Sequence, residues 1–179
     1  MFVSYGFDSR KPCTYHSPLM SGSLHTWYSL PDLDVFAERE AELRGEIELK
    51  QLSRLRDMLH ADSGSVRVGL RFGPRRTGWL GMQLECETTL RMLCQRCLEP
   101  MDLKVAATTK LGLVESAASE SLLPDTYEPV LMDGARLKLA QLVEDELLMA
   151  VPLVPKHQFL EQCGSIAREL DYLGREGSV

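Results

Sequence analysis

The stretch Val66-Arg67-Val68-Gly69-Leu70-Arg71-Phe72, with the turn signal Gly73-Pro74-Arg75-Arg76 after it, decides the fold. Apolar residues fall on every second position, the period of a strand with one buried face. The alternation resumes over Thr77–Leu93 through Leu80, Met82, Leu84, Cys86, Thr88, Leu90 and Met92. Two such runs joined by a short Gly-Pro segment predict a β-hairpin with its turn at Gly73–Arg76. A third run, Met101–Val114, follows the Glu99-Pro100 turn with Met101, Leu103 and Val105 in alternation. At least three consecutive antiparallel strands are therefore expected.

Upstream, Pro31-Asp32 opens a short helix over Leu33–Arg39, with Asp32 as its expected cap. Leu43, Ile47 and Leu49, around Gly45, predict another strand. Leu52, Leu55 and Leu59 recur at helical spacing, so an amphipathic helix is expected over Gln51–His60, with Arg54, Arg56 and Asp57 outside. Downstream, Leu122–Pro129 reads as a connection and Val130–Met132 as a short returning strand. Leu139, Leu142, Val143, Leu147 and Ala150 then form one face of a helix over Leu137–Ala150, which Pro152 and Pro155 stop. The ends carry weaker signals. Residues 1–29 show no sustained period and predict a poorly ordered extension, within which Met20 offers a second start. The tail from residue 164 carries a weak helical pattern in Ile166, Leu170 and Leu173. The expectation is an α+β domain over residues 30–163, with an antiparallel sheet of about four to six strands, two to three packed helices and loose termini.

The charge balance narrows the function. A formal net charge of −6 over 179 residues disfavours indiscriminate binding to polyphosphate. The charge is uneven, however. Arg54 to Arg76 holds six arginines against Asp57 and Asp62, whereas Glu115 to Glu146 holds eight acids against Arg136 and Lys138. No stretch approaches the roughly 20 apolar residues of a membrane span, and the first thirty residues lack a signal-peptide core, so a cytoplasmic location is expected. Five cysteines, an odd number, argue against a disulfide framework.

Cys94-Gln95-Arg96-Cys97 is the sharpest local signal. A Cys-x-x-Cys loop brings two sulfurs close enough to share a tetrahedral metal ion, and a structural zinc site asks for two further ligands. His157 and Cys163, beyond the Pro152–Pro155 stretch, complete the set as candidates. The bland alternative is a pair of partly buried thiols with no metal. A redox role for the pair would need a helix after the first cysteine, where strand and turn are expected instead. Cys86 reads as a sheet-face residue. In the N-terminal stretch Cys13, His16 and His25 form no more than a coincidental group.

Nucleophilic catalysis finds no Gly-x-Ser-x-Gly elbow, and no phosphate-binding Gly-rich loop is present. Glu144, Asp145 and Glu146 fan around a helix at about 100° per residue, so they share no site and at least one must approach the apolar face. They read as an acidic edge for a basic partner. Arg71, Arg75 and Arg76 at the hairpin tip are candidate contacts to RNA phosphate, or else a solvated tip.

Cys94-Gln95-Arg96-Cys97-Leu98-Glu99-Pro100 and the run from Leu142 to His157, in this order around Tyr127-Glu128-Pro129, resemble the YceD family, the bacterial group described as large ribosomal RNA subunit accumulation proteins. The resemblance extends over roughly Leu30 to Cys163. It implies a non-enzymatic role in the synthesis, processing or stability of large-subunit (23S-type) ribosomal RNA. The implied partners are ribosomal RNA or precursor ribosomal particles, reached directly or through a basic ribosomal or RNA-processing protein. No membrane and no small-molecule substrate enter the expectation. Some relatives carry further cysteines after the Pro-x-x-Pro stretch, where this chain keeps His157 and Cys163. Two other classes stand beside this one: a zinc-stabilised interaction module unrelated to RNA, and a thiol-active protein using Cys94 and Cys97.

Overall fold

The structure is a computed structural model that describes residues 23–132 and 136–164. In chain order the elements are β1 (Trp27–Ser29), α1 (Leu30–Glu38), β2 (Glu42–Glu48), a 3-10 turn (Leu49–Gln51), α2 (Ser53–Arg56), β3 (Ser65–Arg76), β4 (Trp79–Leu93) and β5 (Pro100–Val114). A second 3-10 turn (Ala117–Leu122), β6 (Glu128–Leu131), β7 (Arg136–Lys138), α3 (Leu139–Ala150) and a last 3-10 turn (Leu160–Gln162) follow. The fold is α+β. A five-stranded sheet runs in the order β2-β3-β4-β5-β6, and β1 pairs with β7 in a separate antiparallel ribbon.

The period-two pattern produces this sheet directly. Val66, Val68, Leu70 and Phe72 of β3 share the buried face with Met82, Leu84, Cys86, Leu90 and Met92 of β4 and with Val105 and Leu111 of β5. The opposite face carries the intervening polar residues. Helices α1 and α3 cover the apolar side, with Leu33, Phe36 and Ala37 from the first and Leu139, Leu142, Val143 and Leu147 from the second. Phe36 stacks 5.1 Å from Phe72 and 5.3 Å from Tyr28, ring centre to ring centre, which ties β1, α1 and the sheet together.

Several expectations need correction. Helix α1 begins at Leu30, three residues before the expected start at Leu33. Asp32 is not its cap. Instead, its carboxylate accepts hydrogen bonds from the Ser29 N–H (2.9 Å) and Ser29 hydroxyl (2.6 Å), the acidic half of a capping box. The helix expected over Gln51–His60 breaks up into a 3-10 turn and the single turn α2. Leu52 and Leu55 are buried and Leu59 packs partly buried against the core, while Leu49, expected on the strand, falls in the 3-10 turn just after β2. After Asp57, however, the His60 N–H bonds the Arg91 carbonyl at 2.8 Å and Ala61 bridges Arg91, so pairing with β4 replaces helix.

The hairpin turn also lies further on than expected. Strand β3 continues through Gly73–Arg76 with one extra residue between Phe72 and Arg75, a bulge that accommodates Pro74 without a ladder N–H. The reversal falls at Thr77-Gly78, where Gly78 adopts φ +85°. Strand β6 returns parallel to β5, so the sheet is mixed at that edge. Within the stretch expected to be poorly ordered, residues 23–29 belong to the folded body: Leu24 and Tyr28 are buried and β1 is paired. Residues 1–22, including Cys13 and His16, and the tail pattern of Ile166, Leu170 and Leu173 lie outside the described residues. Ala150 is exposed and falls off the buried face of α3.

The acidic run on α3 is tied inward. Glu144 is buried, and its Oε1 accepts hydrogen bonds from the backbone N–H groups of Arg54 (2.8 Å) and Leu55 (3.2 Å), capping α2 from another helix. Its Oε2 accepts from the Arg54 guanidinium, which also pairs with Asp145 at 2.6 Å. Glu146 accepts a 2.5 Å hydrogen bond from the Thr109 hydroxyl. The expectation of an acidic docking edge is therefore corrected at Glu144, which is enclosed. Its two neighbours also spend their carboxylates on the body of the protein. Glu144→Ala strands two backbone donors in a dry site and should cost roughly 2–3 kcal/mol, with Glu144→Gln milder, measured by urea unfolding.

Candidate metal centre

Strand β4 ends at Leu93, which faces Pro100 at the start of β5, and the six residues between them form a knuckle. The Cys94 N–H bonds the Glu99 carbonyl at 2.9 Å, and the Leu98 N–H bonds the Cys94 carbonyl at 2.8 Å. Leu98 adopts φ 60°, a left-handed turn that closes the loop and points both cysteine side chains to one side. The second half of the site arrives from the chain after α3. Pro152 and Pro155 hold that segment extended, and the Pro155 carbonyl accepts the Gln95 N–H at 2.8 Å. The Arg96 guanidinium donates to the His157 carbonyl at 2.8 Å. A 3-10 turn at Leu160–Gln162, with the Cys163 N–H on the Leu160 carbonyl (2.9 Å), brings Cys163 back.

These contacts gather the four residues picked out by spacing. The ligating atoms of Cys94, Cys97, His157 and Cys163 all lie within 4.8 Å of one another. His157 Nδ1 stands 3.5 Å from Cys97 Sγ and 3.6 Å from Cys163 Sγ. A tetrahedral zinc ion, with Zn–S near 2.3 Å and Zn–N near 2.0–2.1 Å, separates its sulfur and nitrogen ligands by about 3.5 Å. The geometry fits. Three thiols and an imidazole leave no open position, which is the donor set of a structural rather than a catalytic ion. The three cysteines are buried, with Met101, Leu103 and Leu160 packed around them in a small cluster separate from the main core.

Two thiols of the centre shift in opposite directions. Burial by itself raises the Cys94 thiol, but the N–H groups of His157, Cys97 and Arg96, with the Cys97 side chain, outweigh it and bring the group down to about 5. The His157 N–H stands 3.5 Å from that sulfur. Burial pushes the Cys163 thiol up to about 11, and Cys97 beside it adds to the rise. Cys94 is fully enclosed, whereas reactive cysteines are partly exposed. An acidic thiol without access is a ligand more naturally than a nucleophile.

The other sequence candidates scatter. Arg75 pairs with Asp34 (2.9 Å) and Glu115 (2.5 Å) and is committed to holding the bulge, so its expected role as a phosphate contact is corrected. Arg71 approaches Glu42 at 3.7 Å and is half exposed. Arg76 is exposed at the end of β3, opposite Trp79. The exposed backbone N–H of His25 bonds the Ser23 hydroxyl. Sequence reasoning missed Arg96 and the positive φ of Leu98. Nothing in local composition marks either, although a two-residue gap between ligands always needs a reversal.

A family model described as "Large ribosomal RNA subunit accumulation protein YceD" matches residues 82–171, half of the chain. The chain belongs to the YceD family. The matched span begins inside β4, contains all four candidate ligands and runs past Cys163, further than the resemblance expected at that end and less far toward the N-terminus. A YceD relative from Haemophilus influenzae (strain ATCC 51907 / DSM 11121 / KW20 / Rd), named large ribosomal RNA subunit accumulation protein YceD, is 29% identical over 134 residues. That alignment covers 74% of this chain and 76% of the relative. No solved structure matches. Among the described residues no helix is long and apolar enough to cross a membrane.

Cys86 offers an internal contrast. It is buried under the sheet, and burial lifts its thiol to about 11. In the folded protein it should resist alkylation by iodoacetamide up to pH 9 and react fully on unfolding, as read by mass spectrometry.

Proposed function

We propose that this YceD protein is a non-catalytic, cytoplasmic factor for the accumulation of large-subunit ribosomal RNA. In this reading a structural zinc ion at Cys94, Cys97, His157 and Cys163 fastens its C-terminal segment to the β4–β5 hairpin. The observation that carries the ribosomal part is family membership, since the matched span includes the whole candidate centre. The metal part rests on donor chemistry and distances that suit a closed tetrahedral site. A zinc ion bound there would supply folding energy, not reactivity, because every coordination position goes to the protein.

The non-catalytic reading is supported by how the reactive groups are used. Glu144 and Asp145 are bound to Arg54, Arg75 is held between Asp34 and Glu115, and the acidified Cys94 thiol is enclosed. The open face of the sheet alternates charge across its strands, as in Arg67 with Glu87 (2.8 Å) and Arg91 with Asp102 (2.8 Å). Such a face gives little general attraction for polyphosphate. Interaction with a precursor ribosomal particle must then be local, or pass through a basic ribosomal or RNA-processing protein.

Depletion should lower the ratio of large- to small-subunit ribosomal RNA, and an unchanged ratio would remove the ribosomal reading. Purified reduced protein should carry about one equivalent of zinc. Cys97→Ser or His157→Ala should lose most of it and lower the thermal midpoint by several degrees. Zinc well under half an equivalent in the wild-type protein removes the metal.

A further inference from the structure

Tryptophan is mostly buried in folded proteins, yet Trp27 on β1 is 54% exposed. The register of the ribbon explains its direction. Tyr28 and Leu137, paired across β1 and β7, both turn inward and are buried. Side chains alternate along a strand, so Trp27 and Ser29 share the outward face with their partners Lys138 and Arg136. Trp27 stands directly opposite Lys138, and Arg136 is its diagonal neighbour. Among the described residues, Trp27 makes no ring contact, and neither Arg136 nor Lys138 enters an ion pair.

The backbone beneath this face is held in place. The Tyr28 hydroxyl donates to the Ser23 carbonyl at 2.9 Å, the Ala140 N–H donates to the Leu24 carbonyl at 3.0 Å, and the Tyr28 ring packs on Phe36. Each strand of the ribbon runs straight into a helix, α1 after Ser29 and α3 after Lys138. Helix α3 has neither a capping side chain nor an acid in its first turn, so its N-terminal end adds partial positive charge beside Lys138. Asp32 adjoins the face through Ser29, whose N–H and hydroxyl its carboxylate accepts. The outward face itself carries two cations and no acid.

A free indole with cations beside it, on an ordered backbone, suits a single-stranded polynucleotide: a base stacks on the ring while the neighbouring phosphates meet the cations. A lipid surface would ask for further apolar side chains here, whereas Ser29, Arg136 and Lys138 are polar. An acidic peptide would use the cations and leave the ring idle. We infer that the outward face of the β1–β7 ribbon binds single-stranded RNA, with one base stacked on Trp27 and its flanking phosphates against Arg136 and Lys138. The site deepens the ribosomal reading and rests on it for the choice of RNA as ligand. One ring and two cations give a local grip, which agrees with a sheet face that is otherwise charge-balanced.

The test titrates the purified full-length protein into a fluorescein-labelled decamer of adenylate RNA, with anisotropy read at about 50 and 150 mM salt. Trp27→Ala should weaken binding about five- to one-hundred-fold, the loss of one stacked base, while Trp27→Phe keeps most of it. Because Trp27 is exposed, neither variant disturbs the core. Arg136→Ala and Lys138→Ala should each reduce the salt slope by about 0.7. The chain has two tryptophans, so Trp79→Phe leaves Trp27 to report alone, and its emission should change as unlabelled RNA is added. The inference is overturned if the wild-type protein leaves the decamer unbound at the lower salt, or if Trp27→Ala binds as tightly as wild type. Trp27-dependent binding to phosphatidylserine vesicles or to a polyglutamate peptide, with none to the RNA, also overturns it and assigns the face to a membrane or an acidic protein. Depletion separates the two levels. A fallen ribosomal RNA ratio with unaltered RNA binding in Trp27→Ala defeats the ribbon site alone. An unchanged ratio with Trp27-dependent binding defeats the ribosomal reading alone.

Discussion

The pairing of β4 with β5 is the constraint on which the remaining structure depends. Fifteen consecutive partners, from Trp79 with Val114 to Leu93 with Pro100, run without a register shift. At about 3.3 Å per residue the ladder spans roughly 45 Å, long for a domain of this size. Each end then carries a different chemistry. The knuckle closes one end because Leu93 and Pro100 are paired, which fixes where Cys94 and Cys97 emerge. At the other end the same register places Gly81 opposite Gly112, and the absence of both side chains lets Trp79, Tyr127 and Leu123 pack directly on the sheet. A one-residue slip would turn Leu84 and Cys86 out to solvent, so burial of one face locks both ends together.

The two ends are stabilised by different means. At the turn end, Leu111, Leu113 and Val114 are buried, and Leu123 lies where a Cβ on Gly112 would stand, so the connection before β6 is packed down on β5. Near the knuckle, apolar packing thins to Met101, Leu103 and Leu160 around three sulfurs. A segment with so little hydrophobic surface to bury needs another source of order, and backbone hydrogen bonds from Gln95 to Pro155 and from Arg96 to His157 supply only part of it. That deficit is where a structural metal has most to contribute, as in small domains whose cores are too slight to hold them.

Strand content was legible in the sequence because Val66 to Phe72 and Leu80 to Met92 carry an unbroken period of two, and tertiary packing agreed with it. The four candidate ligands were legible too, since Cys-x-x-Cys marks a reversal and the paired prolines bring His157 and Cys163 into an extended approach. What escaped was set by partners distant in sequence. Leu52, Leu55 and Leu59 suggest a helix until Arg91 claims the backbone of His60. The Gly73–Arg76 turn signal was outweighed by a bulge that Arg75 anchors through Asp34 and Glu115. Glu144 looked like part of a solvated edge, yet α2 begins without a capping side chain of its own and takes this one from across the core.

This last exchange bears on how the protein meets its partners. The sequence places its acids and its arginines in separate segments, which reads as a bipolar surface. Folding brings members of those segments together: Arg54 with Glu144 and Asp145, and Arg75 with Glu115. Charges spent in this way cannot also attract a ligand at long range. Among the described residues, Arg76, Lys104 and Lys110 enter no ion pair and stay exposed on the strands. Recognition of a polyanion on such a surface must be local, because the field of the whole molecule, at a net charge of −6, opposes it at long range.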